Sequence, residues 1–418
     1  MISVREAIDR ILAGVGTLPA EDVALLDARG RVLAEAVDAP LDLPFRTNSA
    51  MDGYAARTAD ARGASKGAPK RLRILEEIPA GRLPTRTVEA GTCARIFTGA
   101  ALPAGADCVI RQEDTTREGD SVLIQDDRDA GKNIRLAGED VKKGQRVLEP
   151  GTVLGPEQLA VLASLAKARV TVHGTPRVAI MASGDEVADL DEREAILRGD
   201  KIASSNSYGL QAMVLDAGAI PISLGIARDN LAAVTALLER GAAEADLVIS
   251  TAGVSVGEHD FMHAALAALG ATMDFWRVAM RPGSPLGFAP VHGKPWIGLP
   301  GNPVSSLVCF ELYARPAIRK MQGHRALYRR TVKAVMAESA KTPGRLTHFL
   351  RGILTDDGGT LRATLTGPQG SGILTSMAKA NALLVIPEGR DAVLPGETVD
   401  AILLGDARSF TDKVGGAF

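Results

Sequence analysis

The sequence predicts a multidomain fold in which a central α/β domain, built on a doubly wound parallel sheet, is joined to β-rich domains on either side. Three observations carry this expectation. Strand-like apolar runs alternate with helical segments over 176–327, the signature of a parallel sheet with helices on both faces. Short β-rich runs separated by Gly, Pro and Asp clusters occupy about 70–150, and β character returns after 328, as in small antiparallel domains. The chain has 418 residues, and roughly 150 residues per domain gives about three domains.

In chain order, Ser3-Val-Arg-Glu6 forms a capping box, in which the Ser3 hydroxyl accepts from the Glu6 N–H and the Glu6 carboxylate reaches back. Val4, Ala7, Ile8, Ile11 and Leu12 then share one face, so 3–14 reads as a helix that must dock on a later part of the chain. Short strands are expected at 71–77, 94–97, 107–112, 121–125 and 145–148, and Pro156 opens a helix to about 166. In the α/β region, 178–181, 221–227, 246–250 and 296–299 read as strands. Helices are expected at 206–216, capped by Asn206, and at 230–240, 261–269 and 303–321. Asp356-Asp-Gly-Gly reads as a hairpin turn. The resulting division has a discontinuous N-terminal helical and linker domain (1–50 and 141–175) and a small antiparallel β domain (51–140). An α/β domain (176–327), a C-terminal β domain (328–405) and a mobile tail (406–418) follow.

Composition excludes several classes. With 48 basic and 50 acidic residues the formal net charge is −2, unlike the basic excess of a nucleic-acid binder. Nine Phe, four Tyr and two Trp residues are too few for base-stacking platforms. No apolar run approaches the roughly 18 residues of a membrane helix, and Arg5 and Glu6 fall where a secretory signal would be apolar. Cys93, Cys108 and Cys309 make neither a CxxC pair nor a zinc spacing and read as core residues in a reducing cytoplasm. A cytoplasmic protein with neither nucleic-acid nor membrane partners is expected.

Ligands of open α/β sheets bind at the carboxyl ends of strands, and three loops there are loaded with chemistry. Ala182-Ser-Gly-Asp185-Glu186, Thr251-Ala-Gly-Val-Ser-Val-Gly257-Glu-His-Asp260 and Gly298-Leu-Pro-Gly301-Asn302-Pro303-Val-Ser305-Ser306 each follow or overlap the end of a strand. The glycines and hydroxyls of the last two, at helix starts, suit a phosphate or another oxyanion. Asp185 and Glu186 would repel an anion unless a hard cation such as Mg²⁺ bridges them. Arg277 and Arg281 lie four apart, so in one strand they would share a face and meet one ligand. Each feature also has a plain structural reading: turn glycines, Asp185 or Asp260 as helix caps, arginines on a solvated edge. Their convergence in one domain favours a ligand. Neither GxGxxG with a ribose acid nor GxxxxGK[ST] is present. Gly253-Val-Ser255-Val-Gly257 matches GxSxG, but no His and acid are placed to complete a triad. Transfer at a bound phosphate without a covalent enzyme intermediate is the expected chemistry. Outside this domain, the segment Pro44 to Ala55 reads as an Asx-type turn with Gly53 supplying positive φ.

Taken together, seven segments resemble the molybdopterin molybdenumtransferases, the MoeA and gephyrin E-domain family of molybdenum cofactor biosynthesis. They are Asn-Ser-Ala-Met-Asp-Gly-Tyr-Ala (48–55), Ile-Phe-Thr-Gly-Ala (96–100) with Leu-Pro-Ala-Gly-Ala-Asp (102–107), Gly-Glu-Asp (138–140) and Ser-Gly-Asp-Glu (183–186). Gly-Val-Ser-Val-Gly (253–257) with Asp260, Arg-Pro-Gly (281–283) and Gly-Leu-Pro-Gly-Asn-Pro-Val-Ser (298–305) complete the set. The resemblance spans roughly 1–405 and implies four parts, the central one molybdopterin-binding-like and the C-terminal one barrel-like. It further implies an elongated homodimer with the active site where the α/β domain meets the partner copy. An upstream adenylyltransferase and downstream molybdoenzyme chaperones are implied partners.

The implied reaction inserts molybdate into adenylylated molybdopterin, releases AMP and needs a divalent cation, Mg²⁺. Carried over position by position, Asp52, Thr98, Glu186, Asp229, Asp260, Arg277 and Arg281 would be catalytic. Asn48, Ser49, Arg135, Asp140, Gly253, Ser255, Gly257, Pro300, Gly301, Asn302, Pro303, Ser305 and Ser371 would bind substrate, and Asp185 and Glu186 the metal. The chain departs from the family at Arg277 and Arg281, where Lys is common, and at Ser284, where some relatives have Lys. Ala252 replaces a common Gly, and Ser183 a common Thr. Two other readings share the central fold. A molybdopterin adenylyltransferase would stand alone without 1–170 and 328–405, and an inactive scaffold would not need the intact Asp52, Asp185, Glu186 and Asp260.

Overall fold

A computed structural model describes residues 1–252 and 261–405. Packing divides the chain into two units, one made of Met1–Asp22, Gly30–Ala34 and the segment from Thr171 onward, the other of Val23–Arg29 and Glu35–Val170.

The first unit contains a six-stranded sheet in the order Ile220–Ala227, Arg177–Ser183, Leu247–Thr251, Lys294–Leu299, Pro285–Val291, Phe275–Arg277. The first four strands are parallel. Val178 and Ile180 face one core with Leu210, Val214, Val304 and Phe310, while Ala179 and Met181 face another with Val234, Leu238 and Met262. Alternate residues thus bury both faces, and the sheet is doubly wound as expected. The last two strands are antiparallel, which the sequence did not announce. The reversal is made at His292-Gly293, both with positive φ (48° and 77°), the backbone a two-residue hairpin requires.

Helix Val4–Ala13 begins at Ser3, whose Oγ accepts from the Glu6 N–H at 3.1 Å. Only that half of the capping box forms, because the Glu6 carboxylate accepts from Arg10 at 2.7 Å instead. Its apolar face buries Ala7 and Ile11 in the core shared by Val178, Phe275, Phe310 and Ile318, the later docking partner its periodicity demanded. The helix expected at 206–216 begins at Ser205 after Ser204, so Asn206 does not cap it. The helix expected at 303–321 is interrupted. Pro303–Cys309 passes through a π-helical turn, Phe310–Ala314, into Arg315–Met321.

Five strands of the same unit close into a barrel. Thr347–Asp357 pairs with Thr360–Leu365 and Ala382–Ile386, and Thr331–Met336 and Thr398–Leu403 complete the ring. Ala334, Met336, Leu350, Leu354, Ala363, Leu384 and Ala401 belong to its buried core. Gly358 and Gly359, both at positive φ, make the expected hairpin turn.

In the second unit a six-stranded sheet runs Cys108–Arg111, Gly53–Ala56, Thr92–Ile96, Lys70–Ile78, Ser121–Ile124, Thr115–Glu118. It is mixed rather than antiparallel throughout, because Lys70–Ile78 and Thr92–Ile96 pair parallel. Gly53–Ala56, read from sequence as part of a turn, is a fully buried inner strand. Gly53 does not take positive φ; a Cβ there would lie 2.0 Å from the Ile110 carbonyl oxygen. The glycine is needed for close approach of two strands, not for a turn.

Candidate functional site

At the carboxyl ends of the three neighbouring strands Arg177–Ser183, Leu247–Thr251 and Lys294–Leu299, the first unit opens a cavity of about 480 Å³. Ser183 and Glu186 come from the first loop, and Pro300, Gly301, Asn302, Pro303 and Ser305 from the third. Thr251 and Ala252 represent the second. Gly253, Ser255, Gly257 and Asp260 lie outside the described residues. Ala252 takes φ of 70°, a left-handed conformation that favours glycine and strains a residue with a Cβ by about 1 kcal/mol.

Glu186 stands on the rim between this cavity and a smaller one of about 160 Å³ that also reaches Asp229 and Gly184. Among the described residues its carboxylate has no hydrogen-bond or ion-pair partner. Gly184 makes room for it, since a Cβ there would lie 2.6 Å from Glu186 Oε2. Asp185 and Asp229 are tied together: the Asp185 N–H donates to Asp229 Oδ2 at 3.2 Å, and the Asp229 N–H to Asp185 Oδ1 at 3.4 Å. Asp185 also lies 3.8 Å from Arg228, joins the two loops through its bonds with Asp229 and lines neither cavity.

Among the described residues no group of three or more His, Cys, Asp or Glu side chains is arranged to hold a metal. Glu186 with Asp229 is the kind of sparse carboxylate set that Mg²⁺ uses when substrate phosphates and water supply its remaining ligands, so the donor chemistry fits a cation that arrives with an anionic substrate.

The Pro300–Pro303 loop is held from three sides. Ser306 Oγ donates to the Pro300 carbonyl, Asn206 Nδ2 donates to the Gly301 carbonyl at 2.8 Å, and the Val304 N–H donates to the Ser371 carbonyl at 3.1 Å. Asn206, which sequence reasoning treated as a cap, therefore lines the cavity, and among the described residues its buried Oδ1 has no partner. Ser371 reaches the site through its backbone. Nothing in the local pattern around Asn206 distinguishes these roles.

Arg277 and Arg281 do not share a strand face. Phe275–Arg277 edges the α/β sheet, whereas Met280–Arg281 pairs parallel with Thr347 and His348 of the barrel strand. The chain changes sheets between them, so the even spacing carries no common direction. Both are exposed, Arg277 lies 4.4 Å from the Trp276 ring centroid, and neither lines the cavity.

The remaining expected residues belong to the second unit. Asp52 Oδ1 accepts from the Thr98 N–H at 2.8 Å and from its hydroxyl at 2.7 Å. These bonds, backbone first, hold the Asp52 carboxyl below the usual carboxylate range, and the nearby Arg95 charge acts in the same direction. Arg95 is itself fixed between the rings of Tyr54 and Phe97, 5.1 and 4.9 Å from their centroids, and donates to the Gly53 carbonyl. Asn48 and Ser49 pair with Arg135 and Ile134. Ser49 is buried and donates to the Met51 carbonyl at 2.6 Å, while Arg135 and Asp140 are exposed.

Comparison with known proteins covers nearly the whole chain. Family models match in three consecutive parts: the MoeA N-terminal region (domain I and II) over 2–166, a probable molybdopterin binding domain over 179–320 and the MoeA C-terminal region (domain IV) over 333–404. The chain is 38% identical over 408 residues to a molybdopterin molybdenumtransferase of Nostoc sp., covering 96% of this chain and 93% of that protein. It is 40% identical over 371 residues to molybdopterin molybdenumtransferase 2 of Mycobacterium tuberculosis, covering 88% and 90% respectively. Among solved structures it is similar to a molybdopterin biosynthesis MoeA protein from Pyrococcus horikoshii, with a TM-score of 0.81, 32% identity and coverage of 97% of this chain and 100% of that one.

Proposed function

Because the chain belongs to the molybdopterin molybdenumtransferase family, enzymes of molybdenum cofactor biosynthesis, we propose that it inserts molybdate into adenylylated molybdopterin with release of AMP and the help of a divalent cation. The observation that supports this most directly is Glu186, a carboxylate uncommitted among the described residues, on the rim of a cavity that the Gly-, Ser- and Pro-bearing loops also line. Molybdate is a dianion and the other substrate a phosphoanhydride, so two like charges must be brought together. Glu186 and Asp229 would hold the cation, which when bound neutralises charge at the phosphoanhydride.

The remaining work falls to the chain's own groups. Asn206 and Ser306 hold the Pro300–Pro303 loop, so that Asn302 and Ser305 face the phosphates in a fixed geometry. Arg277 and Arg281, exposed, free of carboxylate partners among the described residues and outside the cavity lining, would meet only an oxyanion that extends beyond the cavity. The two dithiolene sulfurs displace one molybdate oxygen, which leaves as water carrying the two thiol protons. A water molecule adds to phosphorus as the phosphoanhydride P–O bond breaks, so that AMP departs with no covalent enzyme intermediate. AMP is a good leaving group, so no strongly shifted acid or base is required.

The test is AMP release from adenylylated molybdopterin with molybdate and Mg²⁺, comparing the unaltered chain with Glu186→Gln. Molybdate-dependent release that is lost in the variant supports the proposal. Substrate binding without AMP release in the unaltered chain would replace it with a scaffold role, and absence of binding would overturn it. The same reading includes a homodimer. Light scattering should give twice the 43.7 kDa chain mass, and the single-chain mass at micromolar concentration would remove the dimer from the proposal.

A further inference from the structure

Arg351 lies in the barrel strand Thr347–Asp357 and is only 1% exposed. A buried guanidinium ordinarily has a carboxylate beside it. Here the partners are neutral. Nε donates to Ser376 Oγ at 3.0 Å, and the terminal nitrogens donate to the carbonyls of Gln369 at 3.1 Å, Pro368 at 3.3 Å and Gly370 at 2.9 Å. The Arg351 backbone joins the same arrangement, its N–H donating to Gln369 Oε1 at 2.8 Å and its carbonyl accepting from Gln369 Nε2 at 3.2 Å. Burial pushes the guanidinium down to about 10, which leaves it charged at neutral pH.

Apart from the Nε bond to Ser376 in helix Leu374–Lys379, these bonds converge on the loop 366–373, and within that loop the Ser371 carbonyl accepts from the Val304 N–H. Val304 is the first helical residue after Pro303, so its N–H is the first free donor of the helix whose opening residues line the cavity. We propose that Arg351 is a positioning residue for the cavity, fixing through three successive carbonyls the loop that sets where the Asn302–Ser305 segment stands. Arginine suits the task because its planar fork serves several acceptors in different directions at once. A carboxylate partner would neutralise the charge that orients the carbonyls. The kinetic part of the test rests on the reaction proposed above; the structural part does not.

Two variants separate the possibilities. R351M removes all four side-chain bonds, while R351K keeps the charge but offers a single nitrogen to acceptors spread over Pro368, Gln369, Gly370 and Ser376. In folded R351K, amide hydrogen exchange at Val304 should quicken by about tenfold or more, and kcat for AMP release should fall by about tenfold with KM within about twofold. Unchanged Val304 exchange and unchanged kcat in folded R351K would overturn the proposal and leave Arg351 a packing residue of the barrel. If R351M does not fold, R351K decides alone. If the unaltered chain releases no AMP, the proposed reaction fails, and Val304 exchange still decides the role of Arg351.

Discussion

Two carboxylates stand for two ways of placing a charge. Asp52, in the second unit, is committed: both the N–H and the hydroxyl of Thr98 point at one of its oxygens. Glu186, in the first, is uncommitted among the described residues and opens onto two cavities. A carboxylate that already accepts two hydrogen bonds is fixed in place and kept ionised, but has less left to offer a ligand. One with none is costly to hold near other anions, and it becomes useful when a cation or substrate donor arrives. The difference teaches that a motif acid's chemistry depends less on its loop than on whether its lone pairs are already taken.

The largest expected effect would break the comparison outright if it failed. Glu186→Gln should reduce AMP release by about a hundredfold or more, with no change in melting temperature, because among the described residues Glu186 has no partner to lose. A variant that unfolds earlier would show that the carboxylate is committed after all. Next comes the scaffold under Asp52. Gly53→Ala places a Cβ 2.0 Å from the Ile110 carbonyl oxygen, and overpacking of that kind costs about 3 kcal/mol, read as a lower urea midpoint. An unchanged midpoint would mean that the two strands separate without penalty.

The smallest effect sharpens the contrast. Thr98→Val removes one of the two bonds to Asp52, so the Asp52 pKa should rise toward the ordinary value, seen by carboxyl-carbon NMR over about pH 2 to 6. The sign follows from linkage. A carboxyl held low when folded contributes stability above its unfolded pKa and loses it as pH falls through the folded one. The variant should lose that contribution at a higher pH than the unaltered chain. An unmoved titration would assign the depression to the Thr98 N–H and Arg95 alone.

Much of the first unit was legible because its signals are local. The periodicity of Val4, Ala7, Ile8 and Ile11 marks a helix, and Ser183-Gly-Asp-Glu186 and Gly298-Leu-Pro-Gly301 announce strand ends. What stayed hidden depends on partners far along the chain. Gly53-Tyr-Ala-Ala lacks β-branched residues and becomes a strand only between Cys108–Arg111 and Thr92–Ile96. Arg277 and Arg281 look like one strand until the chain changes sheets. Asn206 resembles a cap, and nothing in the sequence marked Arg351, because the carbonyls they bind carry no side-chain signature.

The docking of helix Val4–Ala13 has a consequence for synthesis on the ribosome. The helix packs on Phe310–Ala314 and Arg315–Met321, which are made roughly 300 residues later, a wait on the order of tens of seconds at common elongation rates. During that interval Ala7 and Ile11 have no core to enter, and a ten-residue helix is marginal by itself. The Ser3 cap contributes about 1 kcal/mol, and the solvent-exposed Arg5–Asp9 and Glu6–Arg10 pairs add only a little. They contribute little to the finished molecule, but to the nascent chain they are the whole of what favours that helix before its partners exist.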